Sequence, residues 1–160
     1  MTTAANAPIL LYDGDCGFCA RSVQFVLNHE RADQSLRFAT LQGAQGARAR
    51  AARPDLAGID SVFWVEPTPD GGVRRVLVRS DAALRAMAYL GGAWRVLAAV
   101  GRAVPRPIRD GVYDLVARNR LRLAGGADAC LLPSPEQRRR FLDVPGGGAP
   151  APVEFAATTG

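Results

Sequence analysis

Apolar positions along the chain fall into short blocks whose spacing switches between two periods. Residues 9–12 (ILLY) are four apolar residues in a row, as expected of a short buried strand. Residues 17–30 change to helical spacing: Phe18, Ser22, Phe25 and Val26 fall near one face, and Val23 and Leu27 widen it. Gly14 and Gly17 mark the tight loop between the two. Residues 36–40 predict a second strand. Residues 43–53, rich in Ala and Arg, predict a second helix that Pro54 ends. Residues 61–66 (SVFWVE) are β-branched and aromatic, a strong strand pattern. A turn at 67–72 then leads into 74–79 (RRVLVR), its hairpin partner.

Helices dominate from there. Ser80 is placed as the N-cap and Asp81 in the first turn of a helix through Leu90, broken by Gly91-Gly92. Residues 93–104 predict another helix, stopped by Pro105 and Pro107. Residues 108–123 predict a third, with Ile108, Val112, Leu115, Val116 and Asn119 along one side and Gly125-Gly126 after its end. Residues 134–142 predict a short terminal helix with Ser134 as cap and Pro135 in its first turn. The order β-α-β-α, then β-β-α, implies an α/β fold with a mixed sheet and helices on both faces, plus additional C-terminal helices. One domain over residues 8–143 is expected, with disordered tails at 1–7 and 144–160, the second rich in Pro, Gly and Ala. There is no internal repeat.

Composition narrows the classes. With 160 residues and 48% hydrophobic, the chain is long enough for a real core and is neither disordered nor fibrous. The net charge is +5, and all 20 basic residues are Arg. They are spread along the chain with no aromatic-plus-basic module, so nucleic acid is not an expected partner. The run Arg138-Arg139-Arg140 reads as the solvated face of the terminal helix. Three cysteines are too few for a secreted disulfide scaffold. No signal-peptide pattern and no long apolar span is visible, which points to a reducing, cytoplasmic setting.

Two of those cysteines carry the chemistry. Residues 12–19 read YDGDCGFC, with Cys16 and Cys19 at the junction between the first strand and the first helix. A helix N-terminus favours a thiolate through its dipole and free N–H groups, and two thiols at this spacing can open and close a disulfide. Cys16, at the helix start, is expected to be the more exposed sulfur and the attacking nucleophile. Cys19, one turn in, would be the resolving thiol. Two carboxylates, Asp13 and Asp15, flank the pair. Charge close to Cys16 would oppose its ionisation, whereas a partly buried Asp13 could take and return the Cys19 proton. Against these roles stands the simpler one of turn former or helix-entry cap, which suits Asp15 best. No metal site is expected: Cys16 and Cys19 supply two ligands where a closed zinc site needs four. His29 lies ten residues past Cys19, about 15 Å along a continuous helix, and so cannot share a metal or form a dyad with the pair. Cys130 reads as a buried structural cysteine.

The pattern Asp13-x-x-Cys16-x-x-Cys19 after an apolar strand resembles the DCC family of thiol-disulfide oxidoreductases. Tyr113 to Leu123 (YDLVARNRLRL), Asp128 to Pro133 (DACLLP) and Arg140-Phe141-Leu142 look like the family's C-terminal half. The resemblance implies a thioredoxin-like fold and dithiol–disulfide exchange on a protein or low-molecular-weight disulfide, with an unspecified electron donor and no bound cofactor. Departures from thioredoxin itself concern substrate contact. Asp15 precedes the motif where thioredoxins have Trp, Gly17-Phe18 replaces Gly-Pro, and Ile59-Asp60-Ser61 carries no proline where the cis-proline would stand.

Two other functions compete. Apolar-Asp13-x-Asp15 resembles the first motif of haloacid-dehalogenase-type phosphotransferases, with Asp13 as nucleophile, Asp15 as acid/base and Mg²⁺ bound. No later acidic metal-binding motif follows. The alternative is a non-catalytic thioredoxin-like module. Helices between residues 93 and 123 carry apolar faces ringed by Arg95, Arg102, Arg106, Arg109, Arg118, Arg120 and Arg122, and these could dock a protein or an anionic membrane. The expectation is instead that the apolar faces pack on the sheet and leave the arginines solvated.

Overall fold

The computed structural model describes residues 7–31, 36–68, 72–120, 122 and 134–143. Cys130 and the 144–160 tail lie outside the described residues. Of the 1–7 leader only Ala7 is described, and it is buried rather than loose.

Four strands form one sheet: β1 (Ile9–Tyr12), β2 (Arg37–Thr40), β3 (Phe63–Pro67) and β4 (Val73–Val78), in the order β2-β1-β3-β4. β1 runs parallel to β2 and antiparallel to β3, and β3 and β4 form a hairpin. The parallel crossover is α1 (Gly17–His29). This is the mixed α/β, thioredoxin-like arrangement.

Strand alternation divides the interior in two. Leu10, Phe38 and Trp64 point to one face and meet Val23, Val26 and Leu27 of α1 and Ala82 and Leu90 of α3 (Arg79–Leu90). Ile9, Leu11, Ala39, Phe63 and Val65 point to the other and meet Ala49 of α2 (Ala44–Ala52) and Leu56 of the 3₁₀ turn Pro54–Leu56. The buried stripe of α1 is Ala20, Val23, Val26 and Leu27. It is rotated from the expected face, and Phe25 is left 39% exposed against Trp94 and His29.

Three expectations are corrected. Ser80 does not cap α3. The helix begins at Arg79 directly after β4, and the buried Ser80 hydroxyl donates to Asp110 instead. The terminal helix is one short turn, α6 (Pro135–Arg138), with Ser134 capping it as expected. Beyond it Arg140 is not solvated. Its guanidinium donates to Glu30 (Nη2 to Oε2, 2.8 Å) and to the Leu36 carbonyl at 2.6 Å, and Phe141 pairs with Phe38 along the outer edge of β2. Last, α4 (Gly92–Ala103) and α5 (Arg106–Arg118) do not pack their apolar faces on the sheet. Both lie against α3, with Ala98 the one buried residue of α4 and none buried in α5.

Two glycines in helices make opposite demands. A Cβ on Gly46 in α2 would sit 2.1 Å from the Leu41 carbonyl oxygen, so this helix touches the end of β2 backbone to backbone. Gly111 in α5 has open space around it. Gly46→Ala is expected to destabilise by about 1–3 kcal/mol through overpacking. Gly111→Ala should stabilise by roughly 0.5–1 kcal/mol through helix propensity. Urea unfolding of both variants checks this; equal effects of one sign would contradict the close approach.

Candidate active site

The loop after β1 is held by side chains rather than by length. Asp13 Oδ1 accepts the Asp15 N–H at 3.1 Å, an Asx-type turn, and the Cys16 N–H donates to the Asp13 carbonyl at 3.3 Å. Gln42, just past β2, clasps the same loop. Its Nε2 donates to Asp13 Oδ1 at 2.7 Å, and its Oε1 accepts the Gly14 N–H at 3.1 Å. Arg120 approaches from beyond α5, with Nη1 3.5 Å from Asp13 Oδ2.

Cys16 occupies the N-cap of α1 with extended backbone angles and no side-chain cap bond. A Ser or Asp at this position would accept a bond from the first-turn N–H groups. Sulfur stands there instead, where the helix's free donors and dipole favour negative charge. No acidic residue lies in the first turn to oppose it.

Cys19 is the other half of an unequal pair. Burial pushes its thiol up to about 12, helped by a hydrogen bond to Cys16 and by the charge of Cys16. The Asp13 charge adds to the rise, and a bond with the Asp13 backbone works against it. Cys19 lies on the wall of a small cavity of about 50 Å³ with Asp13, Ser61, Val62, Tyr113 and Arg120. It also borders a larger apolar cavity of about 360 Å³, lined among others by Phe18, Phe25, Met87, Tyr113 and Val116. The Tyr113 hydroxyl accepts the Val62 N–H at 3.1 Å. Burial pushes the Tyr12 and Tyr113 phenols up, and negative charge on Cys19 acts in the same direction.

The structure brings Asp13, Cys16 and Cys19 together, and both cysteines are free thiols. It reverses their expected exposure. Cys16 is 4% exposed and Cys19 is the more open residue. Asp15 points outward as a turn residue. His29 ends α1, donates from Nδ1 to the Phe25 carbonyl at 2.8 Å and takes no part in the site. Among the described residues no group of three or more His, Cys, Asp or Glu side chains could hold a metal. Of the Ile59-Asp60-Ser61 segment, Asp60 and Ser61 line the small cavity beside Cys19, together with Val62. Gln42, Tyr113 and Arg120 were not foreseen as site residues. Gln42 and Arg120 sit in a loop and past a helix end, and Tyr113 lies on the side of α5 turned away from its apolar stripe, so no local pattern marks them.

A model of the DCC1-like thiol-disulfide oxidoreductase family matches residues 10–126, which span the Cys pair and both cavities. The chain belongs to this family. It is 36% identical over 135 residues to "Uncharacterized protein YuxK" of Bacillus subtilis, covering 84% of this chain and 93% of the relative. It is 37% identical over 128 residues to "DCC family protein At1g52590, chloroplastic" of Arabidopsis thaliana, covering 78% and 69%. No solved structure is a significant match. No helix among the described residues is long and apolar enough to cross a membrane.

The asymmetry of the pair has a direct readout. In Cys16→Ser the sulfur partner and its charge are gone but burial remains. The midpoint of Cys19 alkylation by iodoacetamide should therefore fall from near 12 yet stay above that of a free cysteine. Mass spectrometry across a pH series measures it, and a midpoint at or below the free value would contradict desolvation as the main cause.

Proposed function

We propose that the protein is a thiol-disulfide oxidoreductase of the protein-disulfide reductase type, with Cys16 as nucleophile and Cys19 as resolving thiol. The observation that carries the reading is the placement of the two sulfurs, Cys16 at the N-cap of α1 and Cys19 one turn in on the cavity walls. Burial pushes the Cys19 thiol up, which makes it the poorer first attacker. Cys16, at the helix N-cap, is the sulfur whose surroundings favour the anion. Exposure favours Cys19, and the position at the helix N-terminus favours Cys16. The N-terminal position decides, because the thiolate is the reacting species and a helix N-terminus stabilises it.

The Cys16 thiolate attacks one sulfur of a substrate disulfide. The substrate S–S bond breaks, a mixed disulfide forms, and the leaving thiolate takes a proton from water. Cys19 then gives its proton to Asp13 and attacks the Cys16 sulfur. The Cys16–Cys19 disulfide forms and the second substrate thiol leaves with the proton. Two electrons have passed from the dithiol to a protein or low-molecular-weight disulfide, and an external dithiol returns them. Asp13 suits the proton step because it shares the small cavity with Cys19, and Arg120 and Gln42 fix its carboxylate. A dithiol resting state fits a reducing compartment such as the cytoplasm.

With a small aromatic disulfide as substrate, Cys16→Ser should abolish reduction. Cys19→Ser should release one equivalent of thiol and leave a stable adduct on Cys16, visible as added mass. An adduct on Cys19 in Cys16→Ser, with none on Cys16 in Cys19→Ser, would reverse the roles. Asp13→Asn keeps the turn acceptor but not the proton acceptor. It should slow the second step by on the order of 10²-fold while leaving the first within a few-fold; equal slowing of both steps would assign Asp13 to structure alone.

A further inference from the structure

α1 and α3 pack on the same face of the sheet, yet a cavity of about 360 Å³ stands between them, with α5 on a third side. Two small residues of α3, Ala83 and Ala86, share a helix face at i, i+3 spacing and both line it. Protein interiors are close-packed, with few voids larger than a water molecule. This one has more than twice the roughly 150 Å³ of an apolar cavity that holds benzene, so it is no packing defect. Phe25 and Val116 belong to its walls and are also exposed, so the cavity reaches the surface at α1 and at α5.

The walls specify what belongs inside. No charged side chain lines the cavity. Its polar side chains are Tyr12, Ser22, Tyr113 and the Cys19 thiol. The Ser22 hydroxyl donates back to the Phe18 carbonyl at 2.9 Å, and the Tyr113 hydroxyl accepts the Val62 N–H. Water entering here finds few free partners, and a charge entering finds no counter-charge. Cys19 ties the cavity to the thiol chemistry. Phe18, Cys19, Val62, Tyr113 and Val116 line both this cavity and the small one that holds Asp13. Cys16, hydrogen-bonded to Cys19, lies beside the same wall.

We propose that the large cavity is a binding site for the neutral aryl or alkyl group adjoining the disulfide of the substrate. The identity of the substrate rests on the dithiol-exchange reading above, whereas the apolar site does not. The two cavities divide the work at Cys19: the small polar one serves the proton, and the large apolar one holds the neighbour of the reacting sulfur. Disulfides with apolar neighbours are taken up, and disulfides bearing carboxylates beside the sulfur are disfavoured.

Binding can be read apart from catalysis in Cys16→Ser, which keeps the cavity and lacks the nucleophile. N-Phenyl-1-naphthylamine, a neutral dye that brightens in apolar surroundings, should bind this variant with one equivalent per chain. 1-Anilinonaphthalene-8-sulfonate has the same rings plus a sulfonate and should bind roughly tenfold more weakly or worse. Adding Ala83→Phe fills the cavity and should weaken the neutral dye about tenfold or more, and Ala86→Leu, a smaller filling, about threefold. Thermal melting checks that both remain folded. Leu97→Gln, on the exposed side of α4, should leave dye binding unchanged. With the wild-type thiols, a peptide disulfide flanked by Phe should show a KM about tenfold below that of the same peptide flanked by Glu, and Ala83→Phe should erase the difference. No binding of the neutral dye, equal or tighter binding of the sulfonate, or binding lost in Leu97→Gln and kept in both filled variants would overturn the site. Equal KM values for the two peptides would overturn the substrate assignment. Absence of all disulfide reduction with dye binding intact would refute the exchange reading and still support the apolar site.

Discussion

Four residues in the middle of the sheet set the terms for everything else. β1 is buried along its whole length and bonds to β2 on one side and β3 on the other. Its alternation supplies Leu10 and Tyr12 to one layer and Ile9 and Leu11 to the other. A slip of one residue would exchange the two sets and empty both cores. The same register fixes where Tyr12 ends and where the Asp13 turn begins, and so where α1 starts. The thiol pair is thus positioned by hydrophobic packing some residues away.

From that fixed point the site gains its polarity. One helical turn separates the two sulfurs, yet they meet different surroundings. Cys16 takes the cap position of α1, and Cys19 faces apolar walls that raise the cost of its charge. Asp13 contributes twice, through a backbone bond that favours the Cys19 anion and a charge that opposes it. Gln42 and Arg120 hold that carboxylate from two separate elements. Thiol chemistry that a motif encodes locally is therefore tuned by residues 29 and 107 positions further along the chain.

Much of this was legible before any coordinates. The strands and α1 follow from period and turn residues, and the closeness of Cys16, Cys19 and Asp13 from their spacing. What escaped was whatever depends on tertiary neighbours. Ser80 has the composition of a cap, but a buried hydroxyl prefers a carboxylate across the fold, Asp110. Arg140 reads as solvated until Glu30 and the Leu36 carbonyl are placed beside it. An amphipathic pattern on α4 and α5 predicts a covered face but not what covers it, and α3 takes the small-residue side instead. Cys16 and Cys19 exchange their expected exposure, because burial is set by tertiary neighbours and not by position in the helix.

The clasp formed by residues 140–143 has a consequence for the chain as one molecule among many. An open strand edge offers unpaired N–H and C=O groups to any passing chain. At β2 these are already taken. The Phe38 N–H donates to the Arg140 carbonyl, the Leu142 N–H donates to the Phe38 carbonyl, and the Thr40 N–H donates to the Asp143 carboxylate at 2.9 Å. The opposite edge, β4, carries exposed Arg74 and Arg75, whose like charges repel a copy of the same strand. One edge is plugged and the other is guarded electrostatically. Residues 140–143 thereby remove the edge on which a second sheet could extend this one, and they do so beside Thr40, at the same end of the sheet as the thiol loop.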